Sequence, residues 1–174
     1  MKLIDDKTAT REFSHDLGEW IHVRAFSLCA KDEDTLMALQ YAICSEYNFT
    51  WPQHADVEEV PVSFEASLEE WEDGFHTGVY VRGTRDEIKK AVSDFRRTYK
   101  AIKKTINVDL WSSSEKVKNK LIGGDYVQCG GSLCRVAGWQ GGTNLQVVHV
   151  DKSGNLDEEQ YQNIRAGIQS RRAS

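Results

Sequence analysis

The chain has 174 residues, a net charge of −5, 40% hydrophobic and 28% charged residues, and only 2 prolines. That length supports one ordinary domain or a small domain with a smaller appendage, and 5 Trp, 6 Tyr and 6 Phe exclude a disordered chain. No apolar run approaches the roughly 18 residues of a membrane span, and Cys29, Cys44, Cys129 and Cys134 are too few and scattered for a disulfide scaffold.

Residues 1–19 read as a polar arm, with Asp5 and Asp6 where a signal peptide would be apolar, so a cytoplasmic location is expected. Trp20 to Cys29 alternates and is rich in aromatic and β-branched residues, which predicts a strand. Asp32 is placed to cap a helix over 33–47, whose apolar positions Leu36, Leu39, Ile43 and Tyr47 keep helical spacing. Val60, Val62 and Phe64 predict a second strand, and Phe75, Thr77, Val79 and Val81 a third.

Thr84 and Glu87 form a capping-box pattern, followed by one apolar stripe of Ile88, Val92, Phe95, Tyr99, Ile102 and Ile106. Residues 106–111 alternate and predict a fourth strand. The order over 20–111 is then β-α-β-β-α-β, the ferredoxin-like arrangement of an α+β domain. Residues 112–122 are polar and read as a linker. In 123–174, glycine turns separate short apolar runs (125–129, 133–137, 145–150), which predicts a small antiparallel, SH3-like unit closed by a C-terminal helix.

Charge is segregated along the chain. Residues 1–80 carry a net −12, residues 81–122 a net +7, and residues 123–174 are neutral. Such asymmetry speaks about partners and not about fold. Three readings follow.

The first is non-catalytic, regulatory binding of nucleic acid. If Ile21, Val23 and Ala25 face the helices together with Phe75, Thr77, Val79 and Val81, the opposite sheet face gathers Trp20, His22, Arg24, Phe26, His76, Tyr80 and Arg82, with Trp111 nearby. Aromatic rings among cations suit base stacking and phosphate contact. The second helix adds Lys89, Arg96, Arg97, Lys100, Lys103 and Lys104, a cationic side that neutralises phosphates without reading bases. The same sheet face would equally suit an interface, covered by the C-terminal unit or a second copy of the chain.

The second reading is an acidic inhibitor. Asp56, Glu58, Glu59, Glu65, Glu69, Glu70, Glu72 and Asp73 fall in a tract without Lys or Arg, and a rigid carboxylate surface can imitate a phosphate backbone and occupy a nucleic-acid-binding protein. Anti-restriction and anti-defence inhibitors use that strategy. The third is a small enzyme with a site between the two units, drawing on His22, His76 or the Cys129–Cys134 pair. Phosphate-loop and nucleophile-elbow motifs are absent. Zinc would want four closely paired ligands, whereas Cys129 and Cys134 have only His149 nearby, so no metal and no cofactor are expected.

Overall fold

The structure is a computed structural model that describes residues 1–15, 17–47, 61–65 and 68–172. The fold is mixed α+β, with two antiparallel sheets and four helices among the described residues. In chain order these are β1 (Lys2–Ser14), β2 (Glu19–Ala30), α1 (Glu33–Glu46), β3 (Val62–Phe64), β4 (Glu69–Trp71), β5 (Gly74–Gly83), α2 (Ile88–Thr105), α3 (Glu115–Lys118), β6 (Tyr126–Cys129), β7 (Ser132–Gln140), β8 (Asn144–His149) and α4 (Glu158–Arg172). None of the helices is long and apolar enough to cross a membrane.

The main sheet has the order β1-β2-β5-β3, with β4 also paired to β5. Three of its strands are those expected, and they pair as expected: β5 lies between β2 and β3, antiparallel to both. The fourth place is filled differently. Residues 1–15 are no loose arm, because β1 pairs with β2 along a 13-residue strand and occupies the outer position. Residues 106–111 do not join this sheet. Ile106 ends α2, and Asp109 makes an isolated bridge to Gln128 of the second sheet. The long β1–β2 hairpin wins that position by pairing locally across a short turn, whereas a strand from residue 106 would have to cross the sheet. The acidic connection 69–73 also holds more order than its composition suggests: β4 forms a tight hairpin with β5. Gly74 permits it, with φ near +131° and a backbone so close to the Ala30 carbonyl that no Cβ would fit.

The three predicted helices form, the first at its predicted cap and the second a few residues beyond its own. The Asp32 carboxylate accepts from the Thr35 N–H at 2.8 Å. Glu87 reaches back to Thr84, although the Thr84 hydroxyl donates to that carboxylate instead of capping a backbone N–H. Phe95, Tyr99, Ile102 and Ile106 of the α2 stripe are buried. Helix α1 is buried on more than one side, at Leu36, Ala38, Leu39, Gln40, Ala42, Ile43, Cys44 and Ser45, because it lies between layers. Its Gln40 donates to Thr77 of the main sheet, while Glu46 pairs with Arg135 of β7 at 2.7 Å.

The second sheet, β6-β7-β8, is antiparallel and carries α4. Its Tyr126, Leu133 and Val150 belong to the same apolar cluster as Phe26, Phe64 and Phe95 of the main sheet and α2. The C-terminal segment therefore docks on the helices. It packs away from the other side of the main sheet, where Ile21, Val23, Ser63, His76 and Arg82 are nonetheless buried, so the cover on that side is not the C-terminal segment. The segment read as a linker contains the short helix α3.

Candidate nucleic-acid interface

Pairing register decides which residues share a face. Phe26 pairs with Val79 and Leu28 with Thr77, so His22, Arg24, Phe26 and Leu28 lie on the helix-covered side together with Thr77, Val79 and Val81. This corrects the expected constellation. His76, Tyr80 and Arg82 do lie on the opposite side, where His76 and Arg82 are buried, but Trp20, His22, Arg24 and Phe26 do not join them. Strand β2 carries apolar residues on both faces, Ile21 and Val23 on one and Phe26 and Leu28 on the other, so its alternation fits either orientation. A one-residue change of parity moves every side chain across the sheet.

The correction brings other residues together. Phe26 is buried under α2, its ring 5.4 Å from that of Phe95 and crossed by the Arg96 guanidinium at 5.5 Å. Arg24 and Arg96 converge on one carboxylate, Asp5 of β1, which Arg24 reaches at 2.8 and 2.9 Å and Arg96 also contacts. The Lys7 N–H and these two guanidinium groups hold the Asp5 carboxyl below the usual carboxylate range. Lys7 itself sits at φ 56°, inside the bulge where the β1–β2 register shifts.

A groove follows the seam between the β1–β2 hairpin and α2. One part, about 390 Å³, is lined by Ala9, His22, Arg24, Lys89, Val92 and Arg96. A second, about 560 Å³, continues past Arg96 to Lys100, Lys103, Tyr99, Lys2 and Leu3. A third hollow of about 410 Å³ on α2 itself is bordered by Lys89, Arg96, Arg97 and Lys100. Among the described residues no ion pair engages Lys89, Lys100 or Lys103. Arg97 is paired with Asp94 at 2.8 Å, and Lys104 is exposed beyond the groove. At the far end of the hairpin Trp20 is 57% exposed, edge-on to Phe13 at 5.6 Å. Arg11, the cross-strand partner of His22, lies on the same side.

The opposite side of the sheet holds a different set. Arg82 is buried, donates to Ser63, and approaches Glu12 at 3.7 Å. The Tyr80 hydroxyl donates to Glu65, whose carboxylate also accepts from the Gly78 N–H. His76 is buried between Cys29 and Asp73 with Trp71 stacked on its ring. These three residues are committed to partners within the fold. Trp111, 78% exposed, belongs to neither face: it lies over Gly130, whose positive φ and lack of a Cβ admit the ring.

The acidic tract divides likewise. Asp56, Glu58 and Glu59 lie outside the described residues. Glu65 turns inward to the contacts just given, Asp73 is exposed while its carboxylate meets His76, and Glu69 accepts from the Trp71 indole at 2.9 Å. Glu70 and Glu72 are exposed. Within the second sheet, across β7 and β8, His149 lies 3.4 Å from the buried thiol of Cys134, whose pKa burial drives upward. Among the described residues no cluster of His, Cys, Asp and Glu has the geometry to hold a metal ion.

Sequence reasoning missed Lys2, Asp5, Arg11 and Phe13, all on β1. Neither Lys-Leu-Ile-Asp at 2–5 nor Ala-Thr-Arg-Glu-Phe-Ser at 9–14 alternates apolar with polar residues, so this polar edge strand gave no periodic signal. No family model, curated protein or solved structure matches the chain.

Proposed function

We propose that this chain is a cytoplasmic, regulatory binding protein that engages nucleic acid along the groove between the β1–β2 hairpin and α2. One observation carries the reading: Lys89, Arg96, Lys100 and Lys103 line two adjoining hollows that meet at Arg96, one of them shared with His22 and Arg24, and Trp20 and Phe13 are exposed further along the same side of the hairpin. Cations in a row neutralise successive phosphates, and an exposed aromatic pair offers a stacking surface for an unpaired base. Of the cations in the row, Asp5 engages only the two arginines, Arg24 and Arg96, and among the described residues Lys89, Lys100 and Lys103 have no acidic partner. The groove is shallow and bordered by cations, which suits a phosphate backbone better than a small apolar ligand.

The main sheet fits a ferredoxin-like layout in which the fourth strand comes from the N-terminal side, and the second sheet with α4 fits a small SH3-like unit. The acidic-inhibitor reading loses support from Glu65 and Asp73, which serve internal contacts, so fewer carboxylates remain to imitate phosphates.

The test is fluorescence anisotropy of labelled single- and double-stranded oligonucleotides titrated with the protein at low and moderate salt. Micromolar or tighter binding that weakens with salt is expected. No binding at low salt overturns the reading, and capture of a basic protein through Glu69, Glu70 and Glu72 then becomes the experiment to run.

A further inference from the structure

On the side of the main sheet away from α2, Cys29 and His76 are cross-strand partners of β2 and β5. The Cys29 Sγ lies 2.9 Å from His76 Nδ1, and His76 Nε2 lies 2.7 Å from Asp73 Oδ1. The imidazole is thus held at both nitrogens, with one aimed at a thiol and the other at a carboxylate. Trp71 stacks on the ring at 4.4 Å and fixes its plane. The Asp73 carboxyl is held below its usual range by the His76 hydrogen bond. We propose that Cys29, His76 and Asp73 form a nucleophilic thiol centre for acyl transfer, with Cys29 as nucleophile, His76 as base and Asp73 as the positioning residue. Nucleophile, base and orienting acid stand in the order that activated cysteines and serines require.

The surroundings define the substrate class. Lys2 of β1 pairs with Cys29 on this face and supplies the nearest positive charge, while Glu69 of β4 flanks His76 on the other side. Ser27, two positions from Cys29 on the same strand face, adds a hydroxyl 3.4 Å from His76 Nδ1. Cys29 is 5% exposed and His76 4%, so only a small acyl group reaches the sulfur. A small carboxylic ester or thioester meets these conditions, its developing oxyanion falling toward Lys2.

Burial pushes the Cys29 thiol up, so the thiolate nucleophile is made during the reaction. The Cys29 S–H proton passes to His76 Nδ1 as the sulfur bonds to the acyl carbon. The ester C–O bond then breaks and His76 returns that proton to the departing oxygen. Water completes the cycle by giving its proton to His76 and its oxygen to the acyl carbon, which frees the acid and restores the thiol.

The molecule carries its own control. Cys134 also faces an imidazole, that of His149 at 3.4 Å, and this pair has no carboxylate behind it among the described residues. The full chain is incubated with p-nitrophenyl acetate at neutral pH, with nitrophenolate release followed by absorbance and acetylated cysteines located by peptide mass. Acetylation is expected at Cys29 and to be at least about tenfold faster there than at Cys44, Cys129 or Cys134. Cys29→Ala removes it. His76→Asn lowers the rate about 100-fold. Circular dichroism identifies variants that retain the fold. Asp73 is exposed and its replacement by Asn leaves the sheet intact, so it serves where a His76 variant does not fold. Asp73→Asn lowers the plateau rate and moves the acid limb of the pH–rate profile to lower pH, because the imidazolium loses its counter-ion. Cys29 reacting no faster than the other buried thiols, or an unchanged rate and profile in Asp73→Asn, overturns the assignment.

Discussion

Reversing Arg96, Lys100 and Lys103 to Glu tests the groove most directly, because the magnitude follows from its residue count. From Lys89 to Lys103 the chain advances 14 positions along α2, which is about 21 Å at a rise of about 1.5 Å per residue. Lys89, Arg96, Lys100 and Lys103 are spread along that length, and one phosphate neutralised by each gives about four contacts. For a single strand the affinity then falls with a log–log salt slope of about −2.8. Between 50 and 200 mM salt that slope amounts to a loss of about 50-fold. In the triple variant only Lys89 remains, so the slope collapses toward about −0.7 and affinity at low salt drops by at least about tenfold. The assay is anisotropy of a labelled oligonucleotide at four salt concentrations. Lys116, Lys120 and Lys152, all exposed and away from the groove, reversed together supply a control with an identical change in net charge. An unaltered slope in the groove variant, or an equal loss in the control, would refute the reasoning, since binding would then follow overall charge and not this surface.

Other outcomes follow from single contacts. Trp20→Ala weakens single-stranded binding by about 1–3 kcal/mol and leaves duplex binding nearly unchanged, as parallel titrations would show. Asp5→Asn releases Arg24 and Arg96 together, so thermal stability falls by about 1 kcal/mol while affinity for the oligonucleotide rises, a pair of opposite signs that a general structural defect would not give. Phe95→Ala opens a cavity beside Phe26 and costs about 3–5 kcal/mol by urea denaturation; a loss below about 1 kcal/mol contradicts the packing described. The Asp109 carboxyl is held below its usual range by N–H groups of Gly130 and Trp111 and by the Ser112 hydroxyl. Its anchoring of the Gly130 turn is therefore complete above the unfolded carboxylate value and disappears only as pH falls through the lowered one. The Gly130 amide resonance should report this in an acid titration, and a midpoint at or above about 4 would contradict it.

What the sequence makes legible is what local chemistry controls. The Asp32 cap, the α2 stripe and the glycine-bounded strands of the second sheet stand where their residues place them. Strand β5 is readable because Val79 and Val81 are apolar on one face while the other carries Gly78, Tyr80 and Arg82. Strand β2 defeats the same argument, since Ile21 and Val23 are as buried as Phe26 and Leu28. Only its register against β5 selects the face, and register is a long-range property. Strand β1 hides behind Lys, Asp and Thr because an edge strand gains from charged residues that discourage further pairing. The cationic side of α2 is visible in the sequence; that it borders Arg24 and His22 is not. Nor is the Cys29–His76 contact, which joins residues 47 positions apart.

Helix α1 has an arrangement with consequences for how the molecule can be divided. It contributes Leu39 and Ile43 to a cluster that also takes Tyr126, Leu133 and Val150 from beyond the polar stretch at residues 112–114. A cut there would look harmless from the surface, yet it would strip one wall from the helix and leave each fragment with a wet apolar face. Neither piece inherits a finished interior. Attempts to express the cationic groove as an isolated N-terminal fragment should therefore yield aggregation-prone material, and the whole chain should melt in a single calorimetric transition.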